Sequence, residues 1–205
     1  FRRQLIGTAG GWFLFDITFY GNVLFQPIVL HQVFHTSRHI SLRGGLRENI
    51  CLQMGLVALI GLPGYYLSVW QMDKLGRRTI QLQGFLVSAL LFFLLGVFED
   101  QLKATPTLML LLYGLTFLFA NFGPNSTTFM LPAETFPAHV RSTLSGFSAA
   151  MGKLGATVGS SFFKSLVDAT SISVTMVACA AVSVCGFAIT YFFVEDRRGV
   201  AMEGP

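Results

Sequence analysis

Three residues in one apolar stretch, Trp12, Asp16 and Tyr20, have side chains suited to handling a proton and holding an oxyanion. They are spaced four apart, so on an α-helix they share one face at intervals of about 6 Å. An indole N–H and a phenol O–H donate hydrogen bonds without carrying charge, and a carboxylate that can be protonated gives the stripe a proton-dependent charge. Such a stripe suits a small anion or polyol moved together with a proton. Asp16 is alone among the charged types between Gln4 and His31. A carboxylate at mid-membrane depth is costly unless it faces a cavity, finds a partner or binds a proton. Two readings stand: Asp16 is a functional acid, or it pairs with a lysine for structure while Trp12 and Tyr20 serve as packing or interface aromatics. Gly7, Gly10, Gly11, Gly21 and Pro27 flank the stripe and suit close helix approach or bending.

The elements that carry this stripe follow from composition. The 205 residues are 53% hydrophobic and 12% charged, and the mean hydropathy is +0.62; a water-soluble domain needs more polar surface than that. The net charge of +4 does not point to nucleic acid, because the basic residues are dispersed between apolar runs. Crossing a bilayer takes about 20 predominantly apolar residues. The intervals between charges predict spans over about 4–30, 49–72, 79–98, 106–131, 142–167 and 171–194, with Lys153 and Lys164 inside the fifth. The expected fold is therefore all-α, a polytopic bundle of six transmembrane helices over residues 1–205.

Basic residues near span ends are retained in the cytoplasm. Arg2, Arg3, Lys74, Arg77, Arg78, Arg141, Arg197 and Arg198 fall on one side, and Arg38, Arg43, Arg47 and Lys103 on the other. Both ends of the chain are therefore expected inside, with 31–48 as a basic outer loop. Cys51, Cys179 and Cys185 have no metal or redox spacing and read as buried packing residues. No HExxH helix and no Ser/His pairing at mid-membrane depth points to an enzyme, and no cofactor or metal is implied. Phe1 followed by Arg2 and Arg3 matches neither a translation start nor a signal peptide, so the chain is expected to be a fragment.

Two loops carry further information. Asp73, Lys74, Leu75, Gly76, Arg77 and Arg78 form a very short turn between the second and third spans. Glycine permits such a turn, and arginines there can pair with carboxylates at the inner mouth; a purely topogenic role for the arginines is the plainer reading. The run Gly123-Pro124-Asn125-Ser126-Thr127-Thr128-Phe129 leads through Pro132, Glu134 and Pro137 to Arg141. The first loop resembles the signature loop of the major facilitator superfamily. The second resembles the inner loop between the fourth and fifth helices of that superfamily's C-terminal half.

Together with Trp12, Asp16 and Tyr20, the 123–129 run resembles the phosphate:proton symporters of plants and fungi, over essentially the whole chain. The resemblance implies helices seven to twelve of such a transporter, an N-terminal six-helix half elsewhere, and a plasma-membrane location. It also implies a phosphate site of Trp12, Asp16, Tyr20, Asn125 and Lys153, with Asp16 as the proton-coupling acid. Asp73, Arg77, Arg78, Glu134 and Arg141 become an inner gate, in which Glu134 meets Arg77 or Arg78 and Arg141 meets Asp73. The expected activity is proton-coupled uptake of inorganic phosphate by alternating access, with phosphate, protons and the lipid bilayer as partners. A sugar or organic-anion porter of the same superfamily and a non-transporting nutrient receptor are the alternatives. Substrate flux separates them.

Overall fold

The computed structural model describes residues 1–35 and 46–196. Arg38, Arg43, Arg197 and Arg198, and most of the expected outer loop, lie outside the described residues. The regular structure among the described residues is helical: α1 (Arg2–His35), α2 (Leu46–Leu75), α3 (Arg77–Val97), α4 (Glu99–Lys103), α5 (Pro106–Asn121), α6 (Pro124–Thr135), α7 (Ala138–Ala169) and α8 (Ile172–Phe193). This is the all-α bundle expected of the sequence. Three segments, Arg77–Val97, Pro106–Thr135 and Ile172–Phe193, are long and apolar enough by length and composition to cross a membrane. Helices α1, α2 and α7, of 34, 30 and 32 residues, also exceed the length of a span. Helix α1 carries Asp16 and α7 carries Lys153, Lys164 and Asp168, which lower their apolar content.

Exposed surface supports the bilayer as solvent. Val69, Leu59, Leu90, Phe162 and Val184 all stand on the outside of the bundle, in numbers that water alone would not tolerate. Inside, Ile80, Phe85, Leu95, Tyr113 and Met176 are almost fully enclosed. Helix α1 packs along α7 and α8, α3 along α8, and α2 along α5. Without a hydrophobic drive between helices in lipid, close backbone approach supplies much of the attraction. Gly155 and Gly159 supply it here, lying on the carbonyls of Phe13 and Ile17 so closely that a Cβ would overlap α1.

Two local features shape the ends and middle of the bundle. Gly76 is the one residue between α2 and α3, and its φ of 82° is a conformation that side chains with a Cβ disfavour. The expected fourth span is not continuous: it breaks at Phe122 and Gly123 into α5 and α6. Pro124 has no N–H to extend α5 and its ring opposes helix continuation. The carbonyls released by the break are re-satisfied, that of Asn121 by the Ser126 hydroxyl at 2.9 Å and that of Phe122 by the Gln83 amide. Such repair is what a helix break at membrane depth needs. Helix α7 starts at Ala138, ahead of the expected span, because Pro137 caps it and its carbonyl accepts from the N–H groups of Val140 and Arg141. Of the three cysteines only Cys179 is buried; Cys51 and Cys185 face outward, contrary to the expectation that all three pack inside.

Candidate functional site

Asp16 lies on α1 and is 3% exposed. The Lys153 ammonium on α7 acts on it electrostatically across the helix interface, and the Trp12 indole lies one turn back on the same helix. Its Oδ2 has no hydrogen-bond partner among the described residues. A buried carboxylate oxygen left open in this way can take up a proton or accept from a donor on a ligand.

Trp12 is fixed on two sides. Its ring meets Phe129 of α6 edge-on, with centroids 6.1 Å apart, and on the α7 side it fills the space beside Gly152, where a Cβ would come within 2.6 Å of the indole nitrogen. Tyr20, one turn beyond Asp16, accepts a hydrogen bond from Lys153 Nζ at 3.2 Å, and the same ammonium stands 5.1 Å from the Tyr20 ring centroid. Because the phenol oxygen accepts from lysine, its own O–H remains available to donate.

Asn125 occupies the first turn of α6, where the break after α5 places it. Its Nδ2 donates to Asn121 Oδ1 at 2.7 Å and to the Tyr65 hydroxyl at 2.6 Å. Tyr65 comes from α2, and Phe129, one turn beyond Asn125 on α6, meets the Trp12 ring, so α6 borders the α1–α7 pair. Trp12, Asp16, Tyr20, Lys153 and Asn125 therefore come from three helices that pack against one another, α1, α6 and α7. Tyr65 and Asn121 join them, and sequence reasoning misses both. Tyr65 belongs to an apolar span with nothing local to mark it; Asn121 offers one signal, a polar residue beside Gly123-Pro124.

Beside this cleft, Gln81 ties three helices together. It is fully buried, donates to Thr190 of α8 at 2.9 Å and accepts from Thr127 of α6 at 2.8 Å. Gly11 of α1 sits against its amide, directly before Trp12. A separate interior cavity of about 20 Å³ lies among Thr18, Asn22, Ser88, Thr116 and Ser183. It is large enough for one water.

The end of the bundle at the α2–α3 turn is built differently. Arg77 Nη1 meets Asp73 at 2.9 Å and its Nε meets Glu134 at 2.9 Å, so one guanidinium joins the α2–α3 turn to the end of α6. Arg78 instead donates to the Tyr191 carbonyl at 2.9 Å and lies over the Tyr191 ring. Arg141 donates to the Phe136 carbonyl at 2.9 Å and does not meet Asp73, the partner expected for it. The early start of α7 explains the difference: Arg141 falls in the first turn of that helix, where it turns back onto the connecting segment. Lys164, the other cation of the fifth span, pairs with Asp168 four residues on.

The chain matches the model of the family described as "Sugar (and other) transporter" over residues 9–204. It is 42% identical to the low affinity inorganic phosphate transporter 4 of Medicago truncatula, over 98% of this chain and 39% of that protein. It is 41% identical to the inorganic phosphate transporter 1-11 of rice, over 98% of this chain and 37% of that protein. With the probable inorganic phosphate transporter 1-9 of Arabidopsis thaliana it shares 33% identity over 98% of this chain and 40% of that protein. The chain thus spans about two-fifths of the length of these curated relatives.

Proposed function

The chain belongs to the sugar (and other) transporter family of the major facilitator superfamily, and from that premise we propose that it forms the C-terminal six-helix half of a proton-coupled importer of inorganic phosphate. The observation that carries the reading is Asp16, a buried acid with one open oxygen, set among a lysine, an indole and a phenol. Relatives that bear the name inorganic phosphate transporter support the substrate.

Phosphate enters from outside between this half and an N-terminal half, and binds where Trp12, Tyr20, Asn125 and Lys153 converge. Lys153 offsets the anion's charge, and Asp16 carries a proton through the cycle. Rocking of the two halves about this mid-membrane site alternates its access. The Arg77 bridge to Asp73 and Glu134 holds the inner mouth shut and separates when that mouth opens. Both ends of the chain lie in the cytoplasm, and the membrane is the plasma membrane. The inside-negative potential stabilises each net positive charge moved inward by about 2.3 kcal/mol per 100 mV. More than one proton per monovalent phosphate therefore drives uptake against its gradient.

The test is radiolabelled phosphate uptake by the full-length protein in proteoliposomes under an imposed pH gradient, with sulfate and hexose as competitors. Uptake that follows the gradient and resists both competitors is expected. Hexose competition would move the assignment to a sugar porter, and phosphate binding without flux would indicate a receptor.

A further inference from the structure

The hydrogen-bond chain behind Asn125 settles which end of its amide is free. Asn121 Nδ2 donates to the Gly61 carbonyl of α2 at 3.0 Å, and a peptide carbonyl only accepts. That contact fixes the Asn121 amide, so the atom it turns toward Asn125 is Oδ1, also an acceptor. Asn125 must answer with Nδ2. The second hydrogen of that nitrogen goes to the Tyr65 oxygen at 2.6 Å. Both amide hydrogens are thereby committed inside the protein. No donor among the described residues is directed at Asn125 Oδ1, and the half-buried side chain leaves it to accept from a ligand.

We propose that Asn125 meets the substrate as a hydrogen-bond acceptor, held in that orientation by Asn121 and Tyr65, so that the site selects an oxyanion still carrying a hydroxyl, such as dihydrogen phosphate, over one carrying none, such as sulfate. The inference rests on the phosphate reading above and adds to it two positioning residues and a rule of selection. The acceptor that stays an acceptor throughout the cycle is Asn125 Oδ1, because an amide oxygen takes up no proton, whereas Asp16 Oδ2 becomes a donor when Asp16 carries its proton. The site's other donors are Lys153 and the O–H groups of Tyr20 and Tyr65, each phenol oxygen being already occupied by a nitrogen donor. Dihydrogen phosphate satisfies both kinds at once, its bare oxygens on the donors and a hydroxyl on Asn125 Oδ1. Sulfate at neutral pH offers no hydrogen, so it leaves Asn125 Oδ1 facing its own lone pairs. An acceptor forced to face an acceptor is how a hydrogen-bonding site rejects a near-isostere.

Two substitutions release the amide by different routes. Asn121→Leu removes the acceptor that pins Nδ2, and Tyr65→Phe keeps the ring while freeing the second amide hydrogen toward the cleft. The experiment is phosphate uptake by the full-length protein in proteoliposomes, with sulfate and arsenate as competitors, for wild type and both variants. Arsenate retains a hydroxyl and serves as the matched probe. The expected result is a fall of about tenfold in discrimination between phosphate and sulfate in each variant, with arsenate still competing as phosphate does. Because Tyr65→Phe is nearly isosteric, it decides the matter if Asn121→Leu is poorly folded. Phosphate and sulfate weakened in equal proportion, or an unchanged ratio in Tyr65→Phe, would overturn the proposal while leaving phosphate transport intact. A wild-type protein that moves no phosphate would instead remove the reading on which it rests.

Discussion

The end of the bundle at the α2–α3 turn and the cleft around Asp16 are both built from charged and hydrogen-bonding side chains, and they differ in what is left over. At the α2–α3 turn, Arg77 spends its guanidinium on Asp73 and Glu134, and Arg78 and Arg141 donate to backbone carbonyls. These side chains find partners within the chain, although Arg78 Nε is buried without one among the described residues. In the cleft, Asp16 keeps an unpartnered oxygen, Asn125 keeps its carbonyl, and the phenols of Tyr20 and Tyr65 accept from nitrogen and retain hydrogens to donate. The Arg77 bridge is complete without a ligand. A binding site is arranged with valences that only a ligand fills, and buried polar groups left open are costly enough that they mark a function.

Substitutions can break that contrast at either end. Lys153→Met should have the largest effect, because it removes the cation that faces both Asp16 and the anion. Losing a charge-assisted contact of this kind is worth about 2 kcal/mol, so phosphate KM should rise roughly thirtyfold in uptake assays. Gly152→Val should follow. A side chain there enters the volume of the Trp12 indole, and overpacking costs about 1–3 kcal/mol; reduced uptake together with a lower melting temperature in detergent is expected.

At the Arg77 bridge, Glu134→Gln removes one carboxylate and leaves the cleft untouched. The pair is three-quarters buried, so about 1 kcal/mol of closure should be lost. Greater labelling of an introduced inner-mouth cysteine, with phosphate affinity at equilibrium unchanged, is the expected signature. The smallest effect belongs to Lys103 of α4. Its hydrogen bond to Glu99 raises its pKa above the ordinary lysine value, and the contribution of that pairing is present across neutral pH and fades only as alkali deprotonates it. A helix-surface pair of this kind is worth under about 1 kcal/mol, so Lys103→Gln should leave uptake and melting temperature nearly unchanged below that range.

The residues differ in how far their roles are legible. Trp12, Asp16 and Tyr20 share a helix face by spacing alone, and the turn at Gly76 is marked by the residues around it, so these local features can be read from the sequence itself. The break in the fourth span is harder to read, because no charge interrupts the interval from Ala104 to Ala133; only Asn121 and the Gly123-Pro124 pair with the polar residues after it hint at it. Asn121 and Tyr65 acquire their roles from contacts among α2, α5 and α6, which no periodicity reports. The charge pattern pairs Arg141 with Asp73 because it leaves Arg141 in a loop. The proline at 137 starts α7 sooner, and the first turn of that helix carries Arg141 back onto Phe136 instead.

The central claim, that Asp16 carries the coupled proton, is tested most directly by proton movement. Proteoliposomes holding the full-length protein and an internal pH dye should acidify when phosphate is added outside at a fixed membrane potential. The Asp16→Asn variant should bind phosphate yet show no phosphate-dependent acidification. Acidification at the wild-type rate in that variant would contradict a proton-carrying role for Asp16.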